Sequence, residues 1–147
     1  MNTLMSLEKS LVFIKPDHIE FADEILDDYG LRIATAFVDK VPRETIRDHY
    51  SLHIGKNFFE YMTEAYVGKS ISLAVYQGSN VIHDIIQIVG ETDPSKSPKY
   101  TIRARYSGDS MKRAISEGRT LRNVIHRSDS LEEALREINV WQSFLNQ

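Results

Sequence analysis

One histidine near the end of the chain is the residue best placed to do chemistry. His126 follows two apolar residues, Val124 and Ile125, and a polar turn with Ser128 and Asp129 comes directly after it. Imidazole exchanges protons and acts as a nucleophile near neutral pH, and element ends commonly present such groups. A histidine at a strand end can equally be a structural hydrogen-bonding group, so this pattern alone leaves both roles open.

Lys15 is a second candidate for chemistry. It ends a continuous apolar run, residues 11–14, which Pro16 stops. A lysine in that position is either held over a cleft, where it can bind an anion, or extends along the surface to water. A turn-rich stretch, residues 91–106, leaves the same two alternatives open for its cations. These cations are Lys96, Lys99, Arg103 and Arg105.

Composition narrows the class of protein. The chain has 147 residues, 41% of them hydrophobic and 27% charged, which is typical of a globular domain, and we expect residues 1–147 to form one. A net charge of -3 argues against general nucleic-acid binding, which needs a basic surplus or a basic face. Without cysteine there are no disulfides or thiolate metal sites, and no apolar run approaches the about 20 residues of a membrane span. We expect a cytoplasmic protein with no membrane partner and no specific nucleic-acid partner.

Apolar runs and amphipathic segments alternate along the chain. The predicted strands are residues 11–14, 31–41, 71–76 and 121–125. The predicted helices are residues 19–29, two short ones near 43–53 and 58–66, then 81–89, a weakly helical stretch at 110–118 and a last helix from 131. This order predicts an α/β or α+β sandwich in which helices cover one sheet, with residues 91–106 as a loop. The pattern does not tell whether the first two strands are parallel.

The two short helices carry aromatic residues at helical spacing. Tyr50 belongs to the first helix, and Phe58 and Tyr66 belong to the second. Such helices either form a movable clamp or contribute core residues, and the spacing leaves both interpretations open. His49 and His53 are four residues apart, but no third ligand accompanies them. We therefore expect structural roles for them and no metal site built from protein side chains.

The last helix has a clear start signal. Ser130 and Glu133 have the spacing of a capping box, and Asp129 lies where the helix dipole is positive. The helical spacing predicts a buried apolar stripe along this helix. Its members are Leu131, Ala134, Leu135, Ile138, Trp141 and Leu145.

Several separated motifs occur in one order along nearly the whole chain. They are Ile14-Lys15-Pro16-Asp17, His49-Tyr50, Phe58-Phe59, Gly90-Glu91-Thr92-Asp93-Pro94, Thr101-Ile102-Arg103 and Asn123-Val124-Ile125-His126-Arg127-Ser128-Asp129-Ser130. Together they resemble the motifs of the nucleoside diphosphate kinase family. The resemblance implies a ferredoxin-like sandwich with a four-stranded antiparallel sheet covered by helices. It also implies transfer of the γ-phosphate of a nucleoside triphosphate to a nucleoside diphosphate.

The resemblance assigns roles to individual residues. His126 would carry the phosphoryl group as a phosphohistidine between the two half-reactions of a ping-pong mechanism, since imidazole is a good nucleophile toward phosphorus. Glu137 would orient the imidazole through its other nitrogen, and Ser128 would lie within reach of the phosphohistidine. Five further residues match those around the phosphates and the sugar in the family. They are Lys15, Tyr50, Thr92, Arg103 and Asn123.

The resemblance also implies how the rest of the nucleotide is held. Phe58 matches the aromatic residue that stacks on the base, and Met62 takes the place of an apolar neighbour. Stacking needs only a π-face, which suits an enzyme that accepts many bases. Mg²⁺ is implied on the nucleotide phosphates rather than in a protein site. The implied partners are nucleoside di- and triphosphates and further copies of the chain, in a dimer, a tetramer or a hexamer.

The chain departs from the family pattern around the phosphates. Ile86 stands where the family has an arginine, in the helix before Gly90. The segment of residues 104–122 is longer than in the common form and adds Lys112, Arg113 and Arg119, so Arg113 or Arg119 is the expected replacement. Arg127 stands where a glycine usually follows the histidine, which bears on subunit packing.

Two hypotheses about function follow from these residues. The first is an active phosphotransferase, because Lys15, Tyr50, Asn123, His126 and Glu137 are all present. The alternative is a nucleotide-binding regulatory or interaction protein on the same fold with weak or no turnover, because the arginine is missing and a fold does not guarantee a function.

Overall fold

A four-stranded antiparallel sheet lies between helices in the computed structural model, which describes residues 7–26 and 31–145. The strands are β1 (Glu8–Ile14), β2 (Leu31–Val38), β3 (Ile71–Gly78) and β4 (Ile125–Arg127). Their order across the sheet is β2-β3-β1-β4, and each neighbouring pair is antiparallel. The predicted ferredoxin-like sandwich is confirmed. The first two strands, β1 and β2, run in the same direction but do not pair, because β3 lies between them and is antiparallel to both.

Helices fill the connections between the strands. They are α1 (Ala22–Leu26), α2 (Arg43–His49), α3 (Phe59–Glu64), α4 (Val81–Val89), α5 (Ile102–Tyr106), α6 (Met111–Ser116), α7 (Leu131–Val140) and α8 (Gln142–Leu145). Within the described residues, no helix is both long enough and apolar enough to span a membrane.

The strand β1 explains the first apolar run of the sequence. Val12 and Ile14 pack into a cluster with α1 and α4 on one face of the sheet. Leu11 and Phe13 pack on the other face, in a cluster that includes Trp141. All four strand residues are fully buried, so both faces of this central strand select apolar side chains. Helices therefore cover the sheet on both of its faces.

Several predicted elements have different limits in the structure. The expected helix at residues 19–29 is a 3-10 segment, Pro16–Phe21, followed by the short helix α1, and the 3-10 segment is itself kinked at His18, which has a non-helical φ of -130°. The last residues of that predicted helix, 27–29, lie outside the described residues. The expected loop at residues 91–106 contains α5, which the Thr101 side chain caps by accepting a hydrogen bond from the Ala104 amide.

The fourth strand begins later than its apolar residues predicted. Val124 has a φ of 77°, which is rare for a β-branched residue and breaks the extended run. Strand β4 therefore starts at Ile125 and includes His126, which pairs with Phe13 of β1. The histidine thus lies within the sheet and not in the turn beyond its end.

Helix α7 buries only part of the predicted apolar stripe. Ser130 caps it as expected, accepting a hydrogen bond from the Glu133 amide at 3.1 Å. Leu131 and Leu135, however, are 44% and 53% exposed. Ala134 and Trp141 are buried as predicted, and Glu137 is buried between them. The buried positions follow at intervals of three or four residues, which leaves both leucines on the flank of the helix.

The loop after α4 is tightly packed around Gly90. Gly90 has φ 97° and ψ -168°, a combination that essentially only glycine adopts. A Cβ there would overlap Ser97 Oγ and approach Thr101 Cβ to 2.7 Å. We expect Gly90→Ala to lower the free energy of unfolding by roughly 2–5 kcal/mol, from backbone strain and overpacking together.

Gly55→Ala is the matched control. Gly55 also has a positive φ, 92°, but nothing lies within 4 Å of its added Cβ. This variant should lose only about 1–2 kcal/mol, the cost of the backbone conformation. Urea unfolding of both variants measures the difference, and equal losses would show that the loop does not pack against Gly90.

Candidate active site

His126 lies in the middle of a cluster of rings on one face of the sheet. Its imidazole stacks on Phe13, with ring centroids 4.8 Å apart and planes at 22°. The edge of the His49 ring packs against the His126 ring, with ring centroids 4.5 Å apart. The side chain of His126 is only 14% exposed, so these contacts hold the ring in one orientation.

A buried carboxylate determines which ring nitrogen of His126 is free. Glu137 Oε1 lies 2.8 Å from His126 Nε2 and also accepts a hydrogen bond from Ser128 Oγ at 2.8 Å. Burial raises the pKa of Glu137, but the charge and hydrogen bond of His126 and the Ser128 hydroxyl outweigh it and hold that pKa below its usual range. An ionised carboxylate only accepts hydrogen bonds, so Nε2 carries the proton. Nδ1 then keeps a lone pair for attack.

Lys15 is held by the segment that leads into β4. Its amine donates to Asn123 Oδ1, and Asn123 Nδ2 donates to the Thr92 carbonyl at 2.9 Å. Burial, followed by the charge of Arg103, lowers the pKa of Lys15 to about 7, although Asp17 opposes the shift. The amine therefore changes its protonation state near neutral pH.

Arg103 connects the loop after α4 to the strand of the histidine. Its guanidinium donates to four backbone carbonyls at distances of 2.8–3.3 Å. The acceptors are Gly90, Glu91, Asn123 and Ile125. Burial, and then the charge of Arg127, lowers the pKa of Arg103 to about 10, so the guanidinium stays charged at neutral pH. Most of the hydrogen bonds of Arg103 therefore hold the loop after α4 against the β4 region.

A cavity of about 680 Å³ opens beside His126. Nine of the predicted site residues line it: Lys15, Tyr50, Phe58, Met62, Thr92, Arg103, Asn123, His126 and Glu137. The tenth, Ser128, is fully buried and bonds to Glu137. The alternatives for Lys15 are resolved by position, because Lys15 faces a cleft. Tyr50, Phe58 and Tyr66 line the same cavity, and Tyr66 also belongs to a core cluster against which Tyr50 packs, so the aromatic helices contribute to both cavity wall and core.

His49 is a wall residue for which the sequence predicted only a structural role. Trp141 Nε1 donates to His49 Nδ1 at 3.0 Å, so Nε2 carries its proton, and Nε2 has no partner in the described part of the chain. Burial, with the charges of His126 and Arg136 beside it, lowers the pKa of His49 well below its usual value. The feature of the sequence that could have indicated this position in the cavity wall is the motif His49-Tyr50, in which His49 directly precedes a predicted site residue.

The longer segment of residues 104–122 also contributes to the wall. Met111 and Ile115 of α6 line the cavity beside Arg119. Arg119 is already paired with two carboxylates, Asp109 at 2.8 Å and Glu117 at 2.8 Å. Arg113, the other expected replacement for the arginine missing at position 86, has a 62% exposed side chain, bonds to Glu117 and does not line this cavity.

Comparison with known proteins identifies the family. A model of the nucleoside diphosphate kinase family matches residues 8–145. A protein of Saccharolobus solfataricus named nucleoside diphosphate kinase is 33% identical over 142 residues, covering 93% of this chain and 96% of that protein. The chain belongs to the nucleoside diphosphate kinase family. A nucleoside diphosphate kinase of Listeria monocytogenes is 36% identical over 92% of this chain and 88% of its own length.

A solved structure has the same fold as this family member. It is described as a transition-state mimic of nucleoside-diphosphate kinase from Borrelia burgdorferi with bound vanadate and ADP. The TM-score is 0.86 with 24% sequence identity, over 93% of this chain and 88% of that one. The likeness supports the ferredoxin-like fold of this nucleoside diphosphate kinase homologue independently of its motifs.

The lowered pKa of Lys15 predicts how nucleotide binding depends on pH. The amine is protonated below its pKa of about 7 and neutral above it, and a polyphosphate prefers the protonated form. The dissociation constant for ADP should therefore rise above neutral pH, by up to about tenfold per pH unit. Calorimetric titration across this range measures the slope. In Lys15→Arg the guanidinium keeps its charge, so the same plot should flatten; a flat plot for the unaltered protein would contradict the assignment.

Proposed function

We propose that this protein is an active nucleoside diphosphate kinase that works through a phosphohistidine at His126. One observation carries the proposal: Glu137 holds Nε2 of the partly buried His126 imidazole at 2.8 Å, which leaves Nδ1 as the nucleophile in a cavity lined by cations. Family membership supports the same reaction.

The chemistry proceeds in two mirrored steps. His126 Nδ1 attacks the γ-phosphorus of a nucleoside triphosphate, and an N–P bond forms as the bond to the β–γ bridging oxygen breaks. That oxygen keeps the electron pair and leaves with the nucleoside diphosphate. A terminal oxygen of a second nucleoside diphosphate then attacks the same phosphorus, and the electron pair of the N–P bond returns to Nδ1. Glu137 stabilises the positive charge that the imidazole carries while it is phosphorylated.

Donors around the cavity would neutralise the charge of the transferred group. Lys15 and Arg103 supply positive charge, and the Asn123 amide links Lys15 to the Thr92 backbone. Tyr50 lies with its ring 6.1 Å from that of His126. Burial raises the pKa of Tyr50 above its usual value, so the hydroxyl keeps its proton and donates. Donors that are positioned before the reaction need no reorganisation in the transition state.

The aromatic wall supports binding of the base without strong selection among bases. Phe58 is half-buried on the cavity wall, and Lys56 Nζ lies 5.8 Å from its ring centroid. Met62 is its half-buried apolar neighbour on the same wall. Stacking on Phe58 suits any base, because every base has a π-face.

Mg²⁺ would enter with the nucleotide. Among residues 7–26 and 31–145, one group beside the cavity could hold an ion, namely His49, His126 and Glu137, whose ligand atoms lie within 4.8 Å of one another. Two nitrogens and one carboxylate do not suit Mg²⁺, which prefers oxygen ligands in octahedral geometry, and His126 and Glu137 already bond to each other. Bound to the phosphates, Mg²⁺ would neutralise part of their charge. The side chains then act on the phosphate oxygens that the ion leaves free.

Labelling tests the reaction directly. With γ-labelled ATP, we expect acid-labile label on the protein, and GDP should remove it as GTP. His126→Ala should take up no label, because the nucleophile is gone. His83→Ala is the matched control, since His83 is exposed on α4 and should label normally. Label that persists in His126→Ala would contradict the proposal, and label that GDP cannot remove would favour the nucleotide-binding regulatory protein.

An apolar edge strand supports a homo-oligomer. Strand β2 lies at the edge of the sheet, and Leu31, Ile33 and Phe37 on it are 66%, 43% and 61% exposed. Unpaired strand edges with exposed apolar side chains favour pairing with another chain. We propose that β2 contacts a second copy of this chain. The absence of cysteine is compatible with the reducing cytoplasm, where we place the protein.

A charge on β2 tests this contact. Phe37→Asp should lower the molar mass in light scattering after gel filtration, because a carboxylate would be buried unpaired in the interface. Leu135→Asp is the control, since Leu135 is 53% exposed on α7, away from β2. An unchanged mass for Phe37→Asp would place the interface elsewhere.

A further inference from the structure

Arg127 lines the cavity, and not all of the hydrogen-bond donors of its guanidinium have partners in the described part of the chain. The side chain is 13% exposed, follows His126 on β4 and lines the same cavity. Nη1 donates to Asp129, whose own side chain is 78% exposed. The buried Nε has no hydrogen-bond partner in the part of the chain that the structure describes. A buried N–H without a partner is costly, so this group points to a ligand.

More cationic than carboxylate side chains line the cavity around Arg127. Arg103 is close enough that the charge of Arg127 lowers its pKa, and Lys15 lines the same cavity. Glu137 is already bonded to His126 and Ser128, which leaves Asp129 as the carboxylate on Arg127. Like charges held side by side away from water repel each other, and an anion with several oxygens would relieve that repulsion.

The register of the sheet places Arg127 on the same face as position 86, opposite to the face of His126, and Arg127 and His126 both line the cavity from the edge strand β4. Arg127 pairs with Val12, and paired residues of neighbouring strands project to the same face. Val12 belongs to the buried cluster against which Ile86 packs, and helix α4, which carries Ile86, lies against β4. Ile86 offers no charge there. Arg127 brings a guanidinium to that face from the neighbouring element.

We propose that Arg127 binds the phosphate chain of the nucleotide and supplies the guanidinium that position 86 lacks. The assignment rests on the proposed function in that the anion is taken to be a nucleotide. Nε and Nη2 form one edge of the guanidinium, which matches two oxygens of a phosphate. Arg119 is a weaker candidate because two carboxylates hold it, and Arg113 because it lies outside the cavity.

Equilibrium binding tests the proposal without any turnover. The dissociation constants of ADP and adenosine are measured by calorimetry for the unaltered protein, for Arg127→Gln and for Arg113→Gln. Arg127→Gln should weaken ADP binding by about tenfold or more and leave adenosine binding unchanged, because adenosine has no phosphate. Arg113→Gln removes a charge that lies outside the cavity and should bind both ligands normally.

The outcomes separate a phosphate contact from a structural role. Unchanged ADP binding by Arg127→Gln, or an equal loss for ADP and adenosine, would overturn the proposal. If Arg127→Gln does not fold, Arg127→Lys decides: it keeps the charge but loses the bidentate edge, so ADP alone should bind several-fold more weakly. Normal ADP binding by Arg127→Lys would then overturn it. Arg127-dependent ADP binding in a protein that forms no phosphohistidine would refute the proposed function and leave this inference standing.

Discussion

The hydrogen bond between His126 and Glu137 connects the two parts of the chain on which the site depends. It joins strand β4 to helix α7 at 2.8 Å, and Ser128 adds a second bond to the same carboxylate oxygen. A carboxylate buried to this degree needs such partners, because an unpaired charge in the interior is unstable. The same bonds that keep Glu137 ionised also fix the proton on Nε2 of the imidazole. The packing of helix α7 and the orientation of the imidazole therefore depend on one interaction.

A second set of contacts fixes the position of the cations. Arg103 bonds to carbonyls on both the loop after α4 and the β4 region, and Asn123 links Lys15 to Thr92. These bonds hold positive charges close together before any ligand arrives. Burial first, and then the repulsion between these charges, lowers the pKa values of Lys15 and Arg103. A site that holds its cations in place against repulsion binds a polyphosphate without reorganising, which is the form of preorganisation that phosphoryl transfer uses.

The cavity beside His126 keeps its positive charge although Ile86 carries none. Ile86 contributes to the core under α4, while Arg127 brings a guanidinium from β4 to the same face of the sheet. The longer segment adds apolar wall through Met111 and Ile115 of α6 and places the paired Arg119 at its edge. A long side chain such as that of arginine can reach the same cavity from different elements, so a strand can supply the positive charge that a neighbouring helix lacks.

Local patterns in the sequence determined a large part of this protein. The buried run of β1, the Ser130 cap and the alternation of strands and helices follow from side-chain periodicity and hydrogen-bonding chemistry, which act over a few residues. The ordered motifs also pointed to His126 and its neighbours. Tertiary structure alone decided the rest. The positive φ of Val124 shortens β4, and packing turns Leu131 outward and Glu137 inward. The convergence of Lys15, Arg103 and Arg127 beside the histidine depends on contacts between residues far apart in the chain, which no local pattern records.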